Sequence, residues 1–292
     1  MTKELIKPVA PISGCINRRL YLTSTLRGAA LLAGLGHAWP SLAQSGAATG
    51  QRIALVIGNS NYPDAPLVNA VNDARLVHST LKDMGFAMTL LLDCTQVELL
   101  QTTRRWLASA NSANVRFIYF AGHGAQYRGR NFLIPVDARL QSEDELPGSA
   151  FNVNDLIDRM SRFETGVNLL VLDACRSIPT TSPTTGARLR GIAGTLPRSG
   201  LSATLAPRGT LVAYSTAPGA LASDNPQSTN SAYTRHLVAH LKIRGLPIET
   251  VFKRTRAAVL QDSGGTQVPW ESSSLVNDFC FYPDASGQCS GS

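Results

Sequence analysis

Asn168-Leu169-Leu170-Val171-Leu172-Asp173-Ala174-Cys175-Arg176 is a short uncharged run that ends abruptly in an acid, a thiol and a base. Apolar on consecutive positions, it reads as a strand buried on both faces of a parallel sheet. Its polar residues then fall at the carboxyl end, the edge where open α/β sheets form ligand crevices. A second run, Val115-Arg116-Phe117-Ile118-Tyr119-Phe120, ends in Ala121-Gly122-His123-Gly124. If the two strands are neighbours, His123 and Cys175 leave the sheet at the same edge and can meet.

Working outward, strands alternate with helices. A strand over Arg52 to Ile57 turns at Gly58-Asn59, and a helix follows from about Leu67 to Met84, with apolar residues recurring every three and four positions and Gly85 as the stop. After a strand at Met88 to Leu92, Thr95-Gln96-Val97-Glu98 is a capping box opening a helix to about Ala110. Gly129, between Gln126-Tyr127 and Phe132-Leu133-Ile134, marks a short hairpin. Residues 135–150 read as loop, and Asn152 caps a helix with Val153, Leu156, Ile157 and Met160 on one face. Ser177 to Pro207 is rich in Thr, Ser, Pro, Gly and Arg without a period, which predicts a mobile loop beside Cys175. Beyond it the pattern predicts a strand at Gly209 to Tyr214, helices near Ser231 to Arg244 and Pro247 to Gln261, and a last strand at Phe279 to Tyr282. The whole predicts a three-layer α/β fold, a mostly parallel sheet with helices on both faces.

Composition bounds the function. A chain of 292 residues, 43% hydrophobic and 16% charged, can bury one substantial core. Of the net +7, the first 43 residues hold +4, from Lys3, Lys7, Arg18, Arg19 and Arg27 against Glu4. The remaining +3 is too mild to point to nucleic acid, and no basic run with interleaved aromatics occurs. Residues 1–43 read as a targeting segment: Asn17-Arg18-Arg19-Leu20-Tyr21-Leu22, a weakly apolar Gly28 to Ala38, then Ser41-Leu42-Ala43. The paired arginines resemble a twin-arginine signal, so the protein is expected to be exported to the periplasm. Arg27 and His37 interrupt the apolar run well short of the ~20 residues of a stable membrane span. The expected organisation is a signal over 1–43, a linker over 44–51, a catalytic domain over 52–283 and a tail over 284–292. Cys94 reads as a packed thiol, and Cys280 and Cys289 are able to close a small loop in an oxidising compartment. No zinc-type spacing is present, and no metal site is expected; His236 and His240 stand at i, i+4 without partner ligands in sight.

His123 lies 52 residues before Cys175 within Asp-Ala-Cys-Arg, and this pair of clusters resembles the caspase and metacaspase family of cysteine peptidases. Asp173 and Ser177 stand where caspases carry Gln and Gly, which moves the sequence toward the bacterial, metacaspase-like branch. The similarity extends from about Arg52 to Tyr282 through Ala54-Leu55-Val56-Ile57-Gly58, Asn72-Asp73-Ala74 and Tyr214-Ser215-Thr216-Ala217-Pro218-Gly219.

The resemblance implies a caspase-like fold, Cys175 as nucleophile and His123 as acid/base, with the amides of Gly124 and Cys175 forming an oxyanion hole. It also implies that Asp73 and Asp173 line the primary specificity pocket, with Ser215 a weaker candidate. Two carboxylates there favour Arg or Lys before the scissile bond. The substrates are then proteins or peptides, and no cofactor is required. Each feature has a plainer reading: a packed thiol, a tight Gly-His-Gly turn, a solvated helix acid at Asp73, a salt bridge from Asp173 to Arg176. Glu143, Asp144 and Glu145 read as a solvated loop, with a calcium-activation site as the alternative. A similar domain with another specificity, or one that binds peptides without cleaving them, are the rival functions. Arg188, Arg190 and Arg198 would offer such an enzyme self-cleavage sites in the Ser177 to Pro207 loop.

Overall fold

Alternating side chains on the central strands feed two cores, and that alternation fixes the layers. The computed structural model describes residues 50–175, with Cys175 by its backbone, together with 201–217 and 227–289. Arg52–Gly58 (β1), Ala70–Asp83 (α1), Ala87–Leu92 (β2), Gln96–Ser109 (α2) and Val115–Tyr127 (β3) come first. Arg130–Leu133 (β4), Leu146–Ser149 (α3), Phe151–Asn152 (β5), Val153–Met160 (α4) and Val167–Cys175 (β6) follow. Thr210–Tyr214 (β7), Ala232–Leu241 (α5), Ile248–Asp262 (α6) and Trp270–Ser273 (β8) complete the order.

The main sheet runs β2-β1-β3-β6-β7-β8. Its first five strands are parallel and β8 is antiparallel to β7. On one face Phe117, Tyr119, Leu169, Val171 and Ala213 pack with α1, α5 and α6. On the other, Leu55, Ile118, Phe120, Leu170 and Leu172 pack with α2 and α4. Because the side-chain period of a strand is two, continuous apolar runs supply both layers at once. The Thr95–Glu98 capping box and the Asn152 cap form as the sequence predicts.

Several boundaries and one strand differ from expectation. The first helix starts at Ala70, since Leu67 still belongs to the preceding loop, its amide bonded to the Ser60 carbonyl. Ala121-Gly122-His123-Gly124 is no turn: β3 continues through it and only then leaves the parallel sheet to form a hairpin with β4. Arg128 (φ 49°) and Gly129 (φ 76°) make the reversal. Residues 135–150 are not plain loop, for they contain a 3₁₀ turn at Glu143–Glu145 and α3, with Leu140 and Leu146 buried beneath the hairpin.

Phe279 to Tyr282 is not a strand. Its alternating aromatics imitate one, but its carbonyls accept from Ile248, Gly245 and the Arg52 guanidinium, and Phe279 and Phe281 fill an aromatic cluster with Phe86. The last strand is instead the polar edge Trp270–Ser273, which hydrophobic alternation does not reveal. Of the loop expected to be mobile over Ser177 to Pro207, residues 177–200 lie outside the described ones. Its end is held in place: Leu201 packs in the second core, and Asn131 exchanges two hydrogen bonds with the Ser202 backbone (2.7 and 2.9 Å). Cys94 is buried, and Cys280 is disulfide-bonded to Cys289, which ties part of the expected tail to the domain. Among the described residues no helix is long and apolar enough to cross a membrane.

Candidate active site

His123 and Cys175 are register partners on β3 and β6, the last pair of that parallel ladder. Neighbouring strands lie about 4.8 Å apart, so the two residues share one spot on the carboxyl edge of the sheet. His123 is buried, 1% exposed, and its Nε2 stands 2.7 Å from the carbonyl oxygen of Ala65. A carbonyl only accepts, so Nε2 carries a hydrogen, and in the neutral ring the lone pair is then on Nδ1. Ala65 lies in the loop from β1 to α1, and no sequence signal marks it, because its contribution is a backbone oxygen.

Gly124 follows at the point where β3 departs from β6. A Cβ there would stand 3.0 Å from Ala174 Cβ and 3.1 Å from Leu201 Cδ2, so only glycine allows this approach without a shift.

The two acids assigned by resemblance come together. Asp73, on the first turns of α1, is 2% exposed, and Asp173, two residues before Cys175, is 5% exposed. Ser231, the N-cap of α5, bridges them: its amide donates to Asp73 Oδ1 at 3.0 Å and its hydroxyl to Asp173 Oδ2 at 2.7 Å. Asn230 Nδ2 also donates to Asp73 (2.8 Å), and Thr234 Oγ1 (2.9 Å) and Tyr119 Oη (3.4 Å) donate to Asp173. Ser215, just past β7, is buried.

Burial pushes both carboxyls above the ordinary range, and for Asp73 the charge of Asp173 pushes further. The ion pairs among the described residues, Arg130–Asp155, Arg235–Asp262, His236–Asp262 and Arg256–Glu271, leave both acids out. Asp73 is thus no solvated helix acid, and Arg176 lies outside the described residues. Ser231, Thr234 and Tyr119 were not legible in the sequence, since each acquires its part only where α5, β3 and β6 converge.

Glu143, Asp144 and Glu145 do not converge on a common point: Asp144 accepts from Tyr127 Oη and Glu145 from the Gln141 amide. Among the described residues no group of three or more His, Cys, Asp or Glu is placed to hold a metal ion.

The sequence is similar to known proteins. It is 32% identical over 126 residues to mucosa-associated lymphoid tissue lymphoma translocation protein 1 of Homo sapiens, and 31% identical over 126 residues to its homolog in Mus musculus. Each match takes in 43% of this chain and 15% of the relative, so only a small part of those longer proteins is matched. The family model described as the caspase domain matches residues 51–280, the extent of the sheet and its helices, and the chain therefore belongs to the caspase-domain peptidase family.

Proposed function

We propose that the protein is a cysteine endopeptidase that cleaves after Arg or Lys, with Cys175 as nucleophile and His123 as acid/base. The observation that carries this reading is the register pair His123–Cys175 beside a buried Asp73–Asp173 pair. The Cys175 thiol gives its proton to His123 Nδ1 and its sulfur bonds to the scissile carbonyl carbon. The oxyanion is held by the amides of Gly124 and Cys175. The C–N bond then breaks as the imidazolium protonates the departing amine, and water, deprotonated by the same imidazole, releases the acyl group. The Ala65 carbonyl keeps the ring in the tautomer these transfers need. A guanidinium or ammonium reaching Asp73 and Asp173 would offset the cost of their burial, and this favours a basic residue before the scissile bond.

Export to the periplasm through a twin-arginine-like signal over residues 1–43 is part of the same proposal. The bond between Cys280 and Cys289 supports it, since disulfides persist in oxidising compartments. No cofactor enters the chemistry as written.

The test is hydrolysis of fluorogenic peptides ending in Arg, Lys or Asp by the purified protein and by Cys175→Ala and His123→Ala. Both variants should fall by more than ~10³-fold, because the two groups act as a unit. Asp173→Asn and Asp73→Asn should each reduce kcat/KM for Arg peptides while the chain stays folded. Turnover within tenfold of wild type in either dyad variant removes the assignment, and an unchanged Arg preference in both acid variants places the pocket elsewhere.

A further inference from the structure

The groups that hold His123 differ from those that react. Tyr62, in the loop from β1 to α1, is buried. Its hydroxyl accepts from the His123 amide at 3.0 Å and donates to the Ile134 carbonyl at 2.9 Å. The Ile134 amide donates in turn to the His123 carbonyl at 3.0 Å, so one phenol closes a ring of hydrogen bonds around the His123 backbone. Its aromatic ring lies 4.3 Å from the imidazole centroid, tilted by 52°. Burial raises the phenol's pKa, which keeps it a neutral O–H donor at any working pH. Gly122 is what admits it: a Cβ there would stand 2.7 Å from the Tyr62 hydroxyl oxygen and 2.7 Å from Phe120 Cζ.

The loop that carries Tyr62 also carries Ala65, and it is pinned from the turn just past β2. Asp93, at φ 50°, accepts from the amides of Ser60 (2.7 Å) and Asn61 (2.9 Å) and from Asn61 Nδ2 (2.7 Å). Asn59 accepts from the Cys94 amide at 3.1 Å and donates to the Ile134 carbonyl at 3.3 Å. One short loop thus fixes His123 at its backbone amide, its ring face and its Nε2.

We propose that Tyr62 is the positioning residue of His123, setting the plane and tautomer of the imidazole through the loop that Asp93 anchors. The proposal rests on the reading of His123 as acid/base. A merely structural tyrosine would cost stability when changed and leave the histidine as it is. A positioning tyrosine changes the histidine itself, and a misplacement of about 1 Å costs up to about 10²-fold in rate.

The experiment compares wild type with Tyr62→Phe, which keeps the ring and loses both hydrogen bonds. Two readouts are taken: the pH profile of kcat and KM, and the imidazole nitrogen and proton resonances of His123 in histidine-labelled protein, assigned with His123→Ala. The expected result is a 10- to 100-fold loss in kcat with KM within twofold, a displaced pH profile, and His123 resonances moved from the Nε2–H form. Unchanged kcat per folded molecule, or a loss of kcat with unmoved His123 resonances, overturns the proposal. If wild type hydrolyses nothing, the catalytic reading fails by itself, and the resonances alone decide about Tyr62. Should Tyr62→Phe not fold, Asp93→Asn loosens the same loop from a partly exposed position and is judged by the same readouts.

Discussion

Removing one charge from the buried acid pair should stabilise the folded chain at alkaline pH. An unfolded aspartate titrates near its ordinary value of 3.8, whereas in the folded chain burial and the neighbouring Asp173 push Asp73 up to about 8. Between these limits the folded state keeps a proton that the unfolded state has released. Stability from this group is therefore complete below the unfolded value and is lost as pH rises through the folded one. One proton of difference corresponds to about 1.4 kcal/mol per pH unit. For a domain of this size that is roughly 3–5 °C in Tm per unit.

Asp73→Asn, which stays neutral, should flatten this slope and melt higher than its parent at about pH 8. Asn230 and Ser231 can still be served by the amide oxygen. Thermal unfolding of Asp73→Asn, measured in a Cys175→Ala background to prevent self-digestion, tests this at intervals from about pH 5.5 to about pH 8. The part-buried His240, whose pKa desolvation lowers, contributes a slope of the opposite sign, but it is common to both proteins and cancels in the difference. A benzamidine-type cation should raise the Tm of the parent more at pH 8 than at pH 5.5. A variant curve parallel to the parent's refutes the reasoning.

Gly124→Ala places a methyl 3.0 Å from Ala174 Cβ, and should cost about 1–3 kcal/mol together with a fall in kcat; wild-type kinetics at wild-type Tm would mean the backbone at Gly124 has room to spare. Arg116→Met leaves the carbonyls of Ala110 and Thr165 without the buried guanidinium that serves them (2.7 and 2.8 Å), and should lower the urea midpoint by an amount equal to about 2–3 kcal/mol; an unchanged midpoint would show that water replaces it. In active protein, mass spectrometry should find chains cut after Arg188, Arg190 or Arg198 that are absent from Cys175→Ala, whereas a fully active, uncut chain excludes self-cleavage there.

The fold and the pairing of His123 with Cys175 at one sheet edge were legible because both depend on local pattern. Continuous apolar runs such as Leu169 to Leu172 specify strands buried on two faces, and their polar ends must lie at one sheet edge when the strands are parallel. Capping residues such as Thr95 and Asn152 act within one turn, so three or four letters suffice to place a helix start. Trp270 to Ser273 escaped because an edge strand is specified by its neighbour's open hydrogen bonds, and its own side chains are free to be polar. The setting of the site was out of reach for a related reason. Ala65 acts through a carbonyl that every residue possesses, and Tyr62, Asp93 and Ser231 matter only because folding brings each against a residue distant in sequence. Pattern decides where a strand ends, whereas tertiary packing decides which buried group stands beside it, and a buried polar atom takes its partner from whatever the fold places within about 3 Å.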